Sequence, residues 1–293
     1  MIFRSTDIET LADYDRWTQG EPAYKLVGDR QRANKMHVRA EVRGSTGELL
    51  GMSGRVVYPA SVEETDPVPP PYACRVVSVS FVDVVFDPTS EPKYRFDKCY
   101  TECLWDVTGS QARADALEHK ILTAFNAAME VPDVHLVTWN GRTFDLPVLM
   151  MRSLLHRLVC SWYYKNRDMR YRYSTEGHCD LMDFLSDYGA ARFMKLGDMA
   201  RLIGLPGKTD MSGDKVAELY AASCKDPALA EAYMAKTARY CLQDSLQTAL
   251  LWLRTRHFLG KVLPETHNAA LASFRESKTV TDAIELDWER LVL

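Results

Sequence analysis

The chain has no strong excess of positive charge: its 293 residues sum to a formal −4. That argues against a protein that coats nucleic acid statically through a basic surface. It also lacks a Cys-x-x-Cys pair. Its seven cysteines are odd in number and scattered, and the closest two, Cys99 and Cys103, have the wrong spacing. They read as reduced thiols of a cytoplasmic protein, not as a disulfide framework or a zinc knuckle. The opening MIFRSTDIET has no long apolar core and meets an acid at Asp7, so no signal peptide is expected. No apolar run approaches the length of a membrane span. The loop around Lys208, Asp214 and Lys215 lacks the spacing of a phosphate-binding Walker loop and reads as the start of a helix. What the chain does have is apolar substance, 46% hydrophobic residues, enough for the core of one large domain or two small ones.

Along the chain the patterns alternate between strand and helix. Residues 2–9 read as a short strand, and 11–71 as an insertion. Within it, Met36, Val38, Ala40 and Val42 alternate with polar residues ahead of a Gly44–Gly47 turn, the pattern of a β-hairpin. Residues 25–55 hold seven Lys/Arg against three Asp/Glu, which suits either a solvated face or a basic flap that touches phosphates. Five prolines between 59 and 72 mark a loop. Strands follow at 75–86 and 94–102, a helix at 110–130, a short buried strand at 134–139, and helices at 147–158, 196–204, 213–224 and 227–257. This order predicts an α/β fold: a mixed sheet of about five strands flanked by helices. Residues 1–257 are expected to form one domain carrying the insertion. The tail, 258–293, would dock on that domain or on a partner.

Four acids, far apart in sequence, lie where such a fold could gather them. Asp7 and Glu9 are related i to i+2 and would share one face of a strand. Two carboxylates side by side repel unless a cation lies between them. Asp145 follows the strand at 134–139, the end where α/β folds place their sites. Asp244 lies on the long helix, with Tyr240 one turn earlier on the same face. Hard divalent cations take oxygen ligands, and a pair of them about 3.5–4 Å apart is a standard device for phosphodiester hydrolysis. Each signal alone is weak. Asp-x-Glu occurs at many solvated strand ends, Asp145 suits a helix N-cap, and Tyr240 with Asp244 suits a plain helical pair.

In combination the three words DIET, WNGRTFDLPVL and YCLQD resemble the exonuclease motifs of the DEDD superfamily, Tyr subtype. The second motif and YCLQDS are similar to the proofreading domains of family B DNA polymerases. WNGRTFDLPVLMMRSL, HCDLMDFLSDYG and LIGLPGKTDMSGDKVAELY resemble the stand-alone predicted 3′–5′ exonucleases related to those domains. The resemblance covers residues 1–10 and about 72–256. It implies a ribonuclease H-like fold, and two divalent metal ions, Mg²⁺ or Mn²⁺. Asp7, Glu9 and Asp244 would hold the metal that activates water, Asp7 would bridge to the second, and Asp145 would assist it directly or through water. Tyr240 would orient the attacking water. Thr10 and Leu11 would meet the terminal nucleotide, Asn140 would hydrogen-bond near the scissile end, and Phe144 would pack there. The implied substrate is the 3′ end of a nucleic acid, single-stranded or frayed DNA first, with RNA or short oligonucleotides as the alternative. A non-catalytic binding module on the same fold is a third reading. One departure stands out: Arg4-Ser5-Thr6 precedes Asp7, where relatives usually carry aliphatics.

Two further clusters have a bland and a functional reading. The stretch Trp162–Tyr173 interleaves aromatics with Lys165, Arg167, Arg170 and Arg172. It suits either packing with solvated charges or contact with a single strand. His178, Asp180 and Asp183 read as capping and structural hydrogen bonding, with a supporting role beside the cleft as the functional alternative.

Overall fold

The computed structural model describes residues 1–13, 16, 24–26, 38–43, 49–56, 62–64, 69–207, 211 and 213–293. Residues 14–70 form one compact unit, and 1–13 with 71–293 form another. In the smaller unit, β2 (Tyr24–Leu26) pairs antiparallel with β5 (Val62–Glu64), inside the stretch read as a loop. There β3 (Val38–Arg43) also pairs antiparallel with β4 (Leu49–Val56), as the alternation from Met36 predicts. The turn residues 44–47, and the side chains of the basic surplus, lie outside the described residues.

The larger unit is built on a five-stranded mixed sheet in the order β7-β6-β1-β8-β9. Its strands are β1 (Ile2–Ala12), β6 (Cys74–Phe86), β7 (Tyr94–Cys103), β8 (Val134–Thr138) and β9 (His178–Asp180). β6 runs antiparallel to both β1 and β7, while β8 runs parallel to β1 and to β9. This is the mixed, helix-flanked sheet expected of the α/β fold. β1 continues past Glu9 to Ala12, so Thr10 and Leu11 belong to the sheet. β9 is three residues long, too short for a periodic signal, and has no counterpart in the sequence reading.

One face of the sheet is covered by α1 (Gln111–Met129) and α2 (Asp145–Leu155), which enclose Ile121, Leu122, Phe125, Val148 and Leu149. The other carries the long α8 (Ala230–Phe258), whose Leu246, Leu250 and Trp252 share a core with Phe3, Val82 and Val84. Between these come α3 (Ser161–Lys165), α4 (Arg167–Arg170), α5 (Leu181–Leu185), α6 (Leu196–Leu202) and α7 (Gly213–Lys225). The C-terminal residues form α9 (Pro264–Glu276), α10 (Lys278–Ala283) and α11 (Trp288–Leu291). They bury Leu271, Phe274, Val280, Ile284 and Leu291 in the same core as α8. The Ala283 carbonyl accepts from Arg239 Nε at 3.1 Å and Gln243 Nε2 at 2.8 Å, tying this segment to the helix of the third motif.

The polar prefix of β1 is buried and fully used. Arg4 lies directly across from Asp83. Its guanidinium donates to both carboxylate oxygens, at 2.7 and 2.6 Å, and also reaches the Ala128 carbonyl. Ser5 Oγ donates to the Ser245 carbonyl at 2.7 Å, and Thr6 Oγ1 to the Ser80 carbonyl at 2.8 Å. A buried polar group is tolerated only when so bonded.

A second buried charge cluster fastens the ends of the chain that flank residues 14–70. Arg152 is fully buried. It donates from Nε to Glu118 at 2.7 Å and from Nη1 to the Tyr72 carbonyl at 2.8 Å, and its Nη2 lies 2.9 Å from Asp13. Glu118 also accepts from the Val76 N–H at 2.8 Å and bonds His156 Nε2 at 2.8 Å. Burial pushes the Glu118 carboxyl up, but the bonds from His156 and Arg152 outweigh it and hold the pKa below its ordinary value.

Candidate active site

Asp7 and Glu9 project from one face of β1, the face that also carries Phe3 and Ser5. Their direct partners on β6 are Ser80 and Ser78. Serine is small, so α8 comes close at this point. Ser80 Oγ donates to the Cys241 carbonyl at 2.8 Å and bonds Ser245 Oγ at 2.7 Å. Cys241 Sγ donates to the Asp7 carbonyl at 3.3 Å. These bonds, with the one from Ser5, fix the axial register of α8 against β1. They place Asp244 and Tyr240 over the two strand acids. Carboxylate oxygens of Asp7, Glu9 and Asp244 all lie within 4.8 Å of one another. Three hard oxygen donors in that arrangement fit a cation of the Mg²⁺ or Mn²⁺ type.

Asp145 stands outside that trio but adjoins it. It opens α2 and is 5% exposed. The parallel pairing of β1 with β8 covers only Ile2–Ser5, and beyond it the Ile8 backbone adjoins the Asp145 carboxyl and favours its charged form. Burial pushes the Asp145 carboxyl up to about 7, and the Asp180 and Asp244 carboxylates add to this. Tyr240 is buried against the acids and hydrogen-bonds Asp244. Burial first, and then the charges of Asp244, Glu9 and Asp7, hold its phenol well above the ordinary range.

The residues expected to meet substrate are dispersed around this centre. The Thr10 hydroxyl bonds the Cys74 thiol. Leu11 packs in one apolar cluster with Tyr240, Val216 and Trp105. Asn140 adopts φ +64° at the end of β8, a conformation Asn tolerates better than most residues. Its side-chain oxygen accepts from Thr143 Oγ1. Gly141 follows because a Cβ there would stand 2.5 Å from the Thr138 side chain. Phe144 precedes α2 and packs, half-buried, against the α1 side of the core.

Asp180 organises this loop. It accepts from the Asn140 and Arg142 N–H groups, both at 2.9 Å, while capping α5 through Met182 and Asp183. The capping reading of Asp180 therefore describes half of its work; the other half is to hold the chain that leads to Asp145. The signal in the sequence was an acid one residue before a helix. Its second partner, 40 residues away, carries no sequence mark. Asp183 takes a bidentate bond from Arg172, 2.8 Å on each arm, and His178 Nε2 bonds Thr138 Oγ1 at 2.8 Å.

Solved structures with a similar course of chain include the family B DNA polymerase of the hyperthermophilic archaeon Pyrobaculum calidifontis, at 15% identity and a TM-score of 0.39 over 81% of this chain. Exonuclease I matches at 16% and 0.34 over 66%. The zinc-bound E. coli exonuclease I–ssDNA complex matches at 15% and 0.34 over 65%. The chain spans 33%, 43% and 42% of those three proteins. No curated protein sequence matches it. The family model of predicted 3′–5′ exonucleases related to the exonuclease domain of PolB matches residues 67–286, and the chain belongs to that family.

Proposed function

We propose that this 3′–5′ exonuclease hydrolyses phosphodiester bonds at the 3′ end of single-stranded or frayed DNA and releases nucleoside 5′-monophosphates, using two divalent ions. The carrying observation is the convergence of Asp7, Glu9 and Asp244 to within 4.8 Å, with Tyr240 beside them. These three carboxylates would hold the ions, with Asp145 adjoining. Bound there, Mg²⁺ or Mn²⁺ would acidify the attacking water and offset the charge that builds on the phosphate and the leaving oxygen.

The chain's own groups divide the remaining work. Tyr240, whose hydroxyl bonds Asp244 in the absence of metal, would turn to the attacking water and orient it by a hydrogen bond. Asp145 adjoins the strand that carries Asp7 and Glu9, with the Ile8 backbone beside its carboxyl. Asp180 sets the path of residues 140–142, and thereby the place of Asn140 and Phe144 at the terminal nucleotide.

The test is digestion of 5′-labelled DNA and RNA strands in parallel, with Mg²⁺, Mn²⁺ or EDTA. The expected result is a ladder shortening from the 3′ end, faster on DNA and absent in EDTA. Loss of the label as a mononucleotide in the first turnover, or no metal-dependent shortening, would overturn the proposal. A faster RNA ladder would move the substrate to RNA with the chemistry unchanged.

A further inference from the structure

The segment 161–173 does not fold as one unit. Trp162 turns inward, donates from Nε1 to Asn126 at 2.9 Å and packs on Phe125. Its later aromatics turn outward: Tyr164, Tyr171 and Tyr173 are 59%, 49% and 55% exposed. Burial accounts for the first and leaves the other three unexplained, because three exposed tyrosines in one short stretch cost solvation and gain little packing.

Guanidinium groups lie over two of these rings, and the rings beyond meet edge to face. The Arg170 guanidinium lies 5.7 Å from the centre of the Tyr164 ring, and that of Arg167 lies 5.7 Å from Tyr171. Tyr171 meets Tyr173 at 5.7 Å, and Tyr173 meets Tyr188 at 4.6 Å. Lys165 is exposed alongside, and Asp168 is the acid of this short helix. The far end is braced: Arg172 spans Asp183 and the Tyr188 carbonyl.

The same surface is fastened to the loop of the second motif. Arg142, three residues before Asp145, donates to the carbonyls of Met169, Arg170, Tyr171 and His178 at 2.8–3.4 Å. Gly177 allows this closeness, since a Cβ there would stand 2.5 Å from the Asp168 and Met169 backbone. One guanidinium thus joins the exposed ladder to the chain that carries a site acid.

We infer that Tyr164, Arg167, Arg170, Tyr171, Tyr173 and Tyr188 form a stacking track for single-stranded nucleic acid, holding the nucleotides upstream of the 3′ end that enters the acid site. Exposed rings with guanidinium groups beside them match a chain of bases joined by phosphates, and every base offers a face to stack on. The track is sequence-tolerant and gives no preference for the terminal base. This rests on the reading of nucleic acid as substrate, and it adds where the rest of the strand lies.

The test is binding in EDTA, where nothing is cut. Fluorescence anisotropy is read with labelled oligothymidylate and oligouridylate of about 20 nucleotides and with a trimer too short to reach the track. Tyr164→Ala/Tyr171→Ala/Tyr173→Ala should bind both long strands about tenfold or more weakly. Its circular dichroism, and its cleavage of the trimer once Mn²⁺ replaces EDTA, should be those of the native protein. Arg167→Gln/Arg170→Gln should lower the slope of log affinity against log salt by about 0.7 per residue removed. Native affinity for long strands in the triple-tyrosine variant, or an unchanged salt slope in the double-arginine one, would overturn the inference. Because binding is read without turnover, a native protein that binds long strands yet cuts nothing would refute the exonuclease mechanism and leave the track standing.

Discussion

Two clusters of carboxylates are buried in the larger unit, and their neighbours act on them with opposite sign. Glu118 is 1% exposed and Asp145 is 5% exposed, so burial penalises ionisation of both. Around Glu118 the protein sets Arg152, His156 and the Val76 N–H, and the carboxyl is held below its ordinary value. Around Asp145 it sets Asp180 and Asp244, and the carboxyl is pushed up to about 7. The difference teaches what each cluster is for. The Arg152 cluster closes on itself and holds the chain where residues 14–70 leave and return. The acid site gathers like charges at a cost to folding, and such a cost is understandable where a cation completes the set during turnover.

Substitutions should separate the two. The largest effect is expected from Asp7→Ala or Asp244→Asn: cleavage of a labelled strand falls about a thousandfold or more, which is ~4 kcal/mol of barrier. The melting temperature in EDTA stays at or above that of the native protein. In the Arg152 cluster the pattern inverts. Glu118→Ala leaves a buried guanidinium without its main partner and should lower stability by about 3–5 kcal/mol in denaturant titration. The folded fraction should keep its rate of cleavage.

Acid provides the next test. Glu118 has a depressed folded pKa, so its stabilisation is present above the ordinary carboxylate range and is lost as pH falls through the folded value. His267, buried on α9, has its pKa lowered from 6.5 to about 4, by burial first. As pH falls from 6.5 towards 4, the unfolded chain binds a proton that the folded chain refuses, so stability declines over that window by about 3 kcal/mol. Urea titrations at pH 7 and pH 4.5 should show the decline as the difference between the native protein and His267→Gln, because the raised Asp145 carboxyl gains stability over the same window. Smaller again is Tyr240→Phe, which removes one hydrogen bond to a charged group and should slow cleavage about tenfold to a hundredfold. A native rate in that variant would take Tyr240 out of the mechanism. Ser80→Ala, which loosens the register of α8, should cost ~1 kcal/mol of stability.

The sheet and the site were legible to different degrees, for physical reasons. β6 is valine-rich and buried nearly throughout, and α1 shows its apolar spacing plainly, so both stand out in sequence. The polar start of β1 did not read as a central strand, because Arg4, Ser5 and Thr6 each depend on a partner at least 74 residues away in sequence. No local pattern encodes Asp83, Ser245 or Ser80. The acids were visible as motifs, whereas the serines that hold α8 over them were not, since a small residue in a strand has no signature of its own. Asp180 was readable as a cap and a structural hydrogen-bonder beside the cleft, but its distant partner, the Asn140–Arg142 turn, was not. The segment 161–173 showed its composition but not its division into an inward tryptophan and outward tyrosines, which depends on where α1 offers Asn126 and Phe125.

The claim on which the account turns is that Asp7, Glu9 and Asp244 are gathered to hold divalent ions. It is tested most directly by titrating Mn²⁺ into the protein in the presence of thymidine 5′-monophosphate, with bound and free ion read by electron paramagnetic resonance. The account predicts two ions per native chain, as a paired-metal site requires, and fewer in Asp244→Asn. Equal stoichiometry and equal affinity in the two proteins would contradict it.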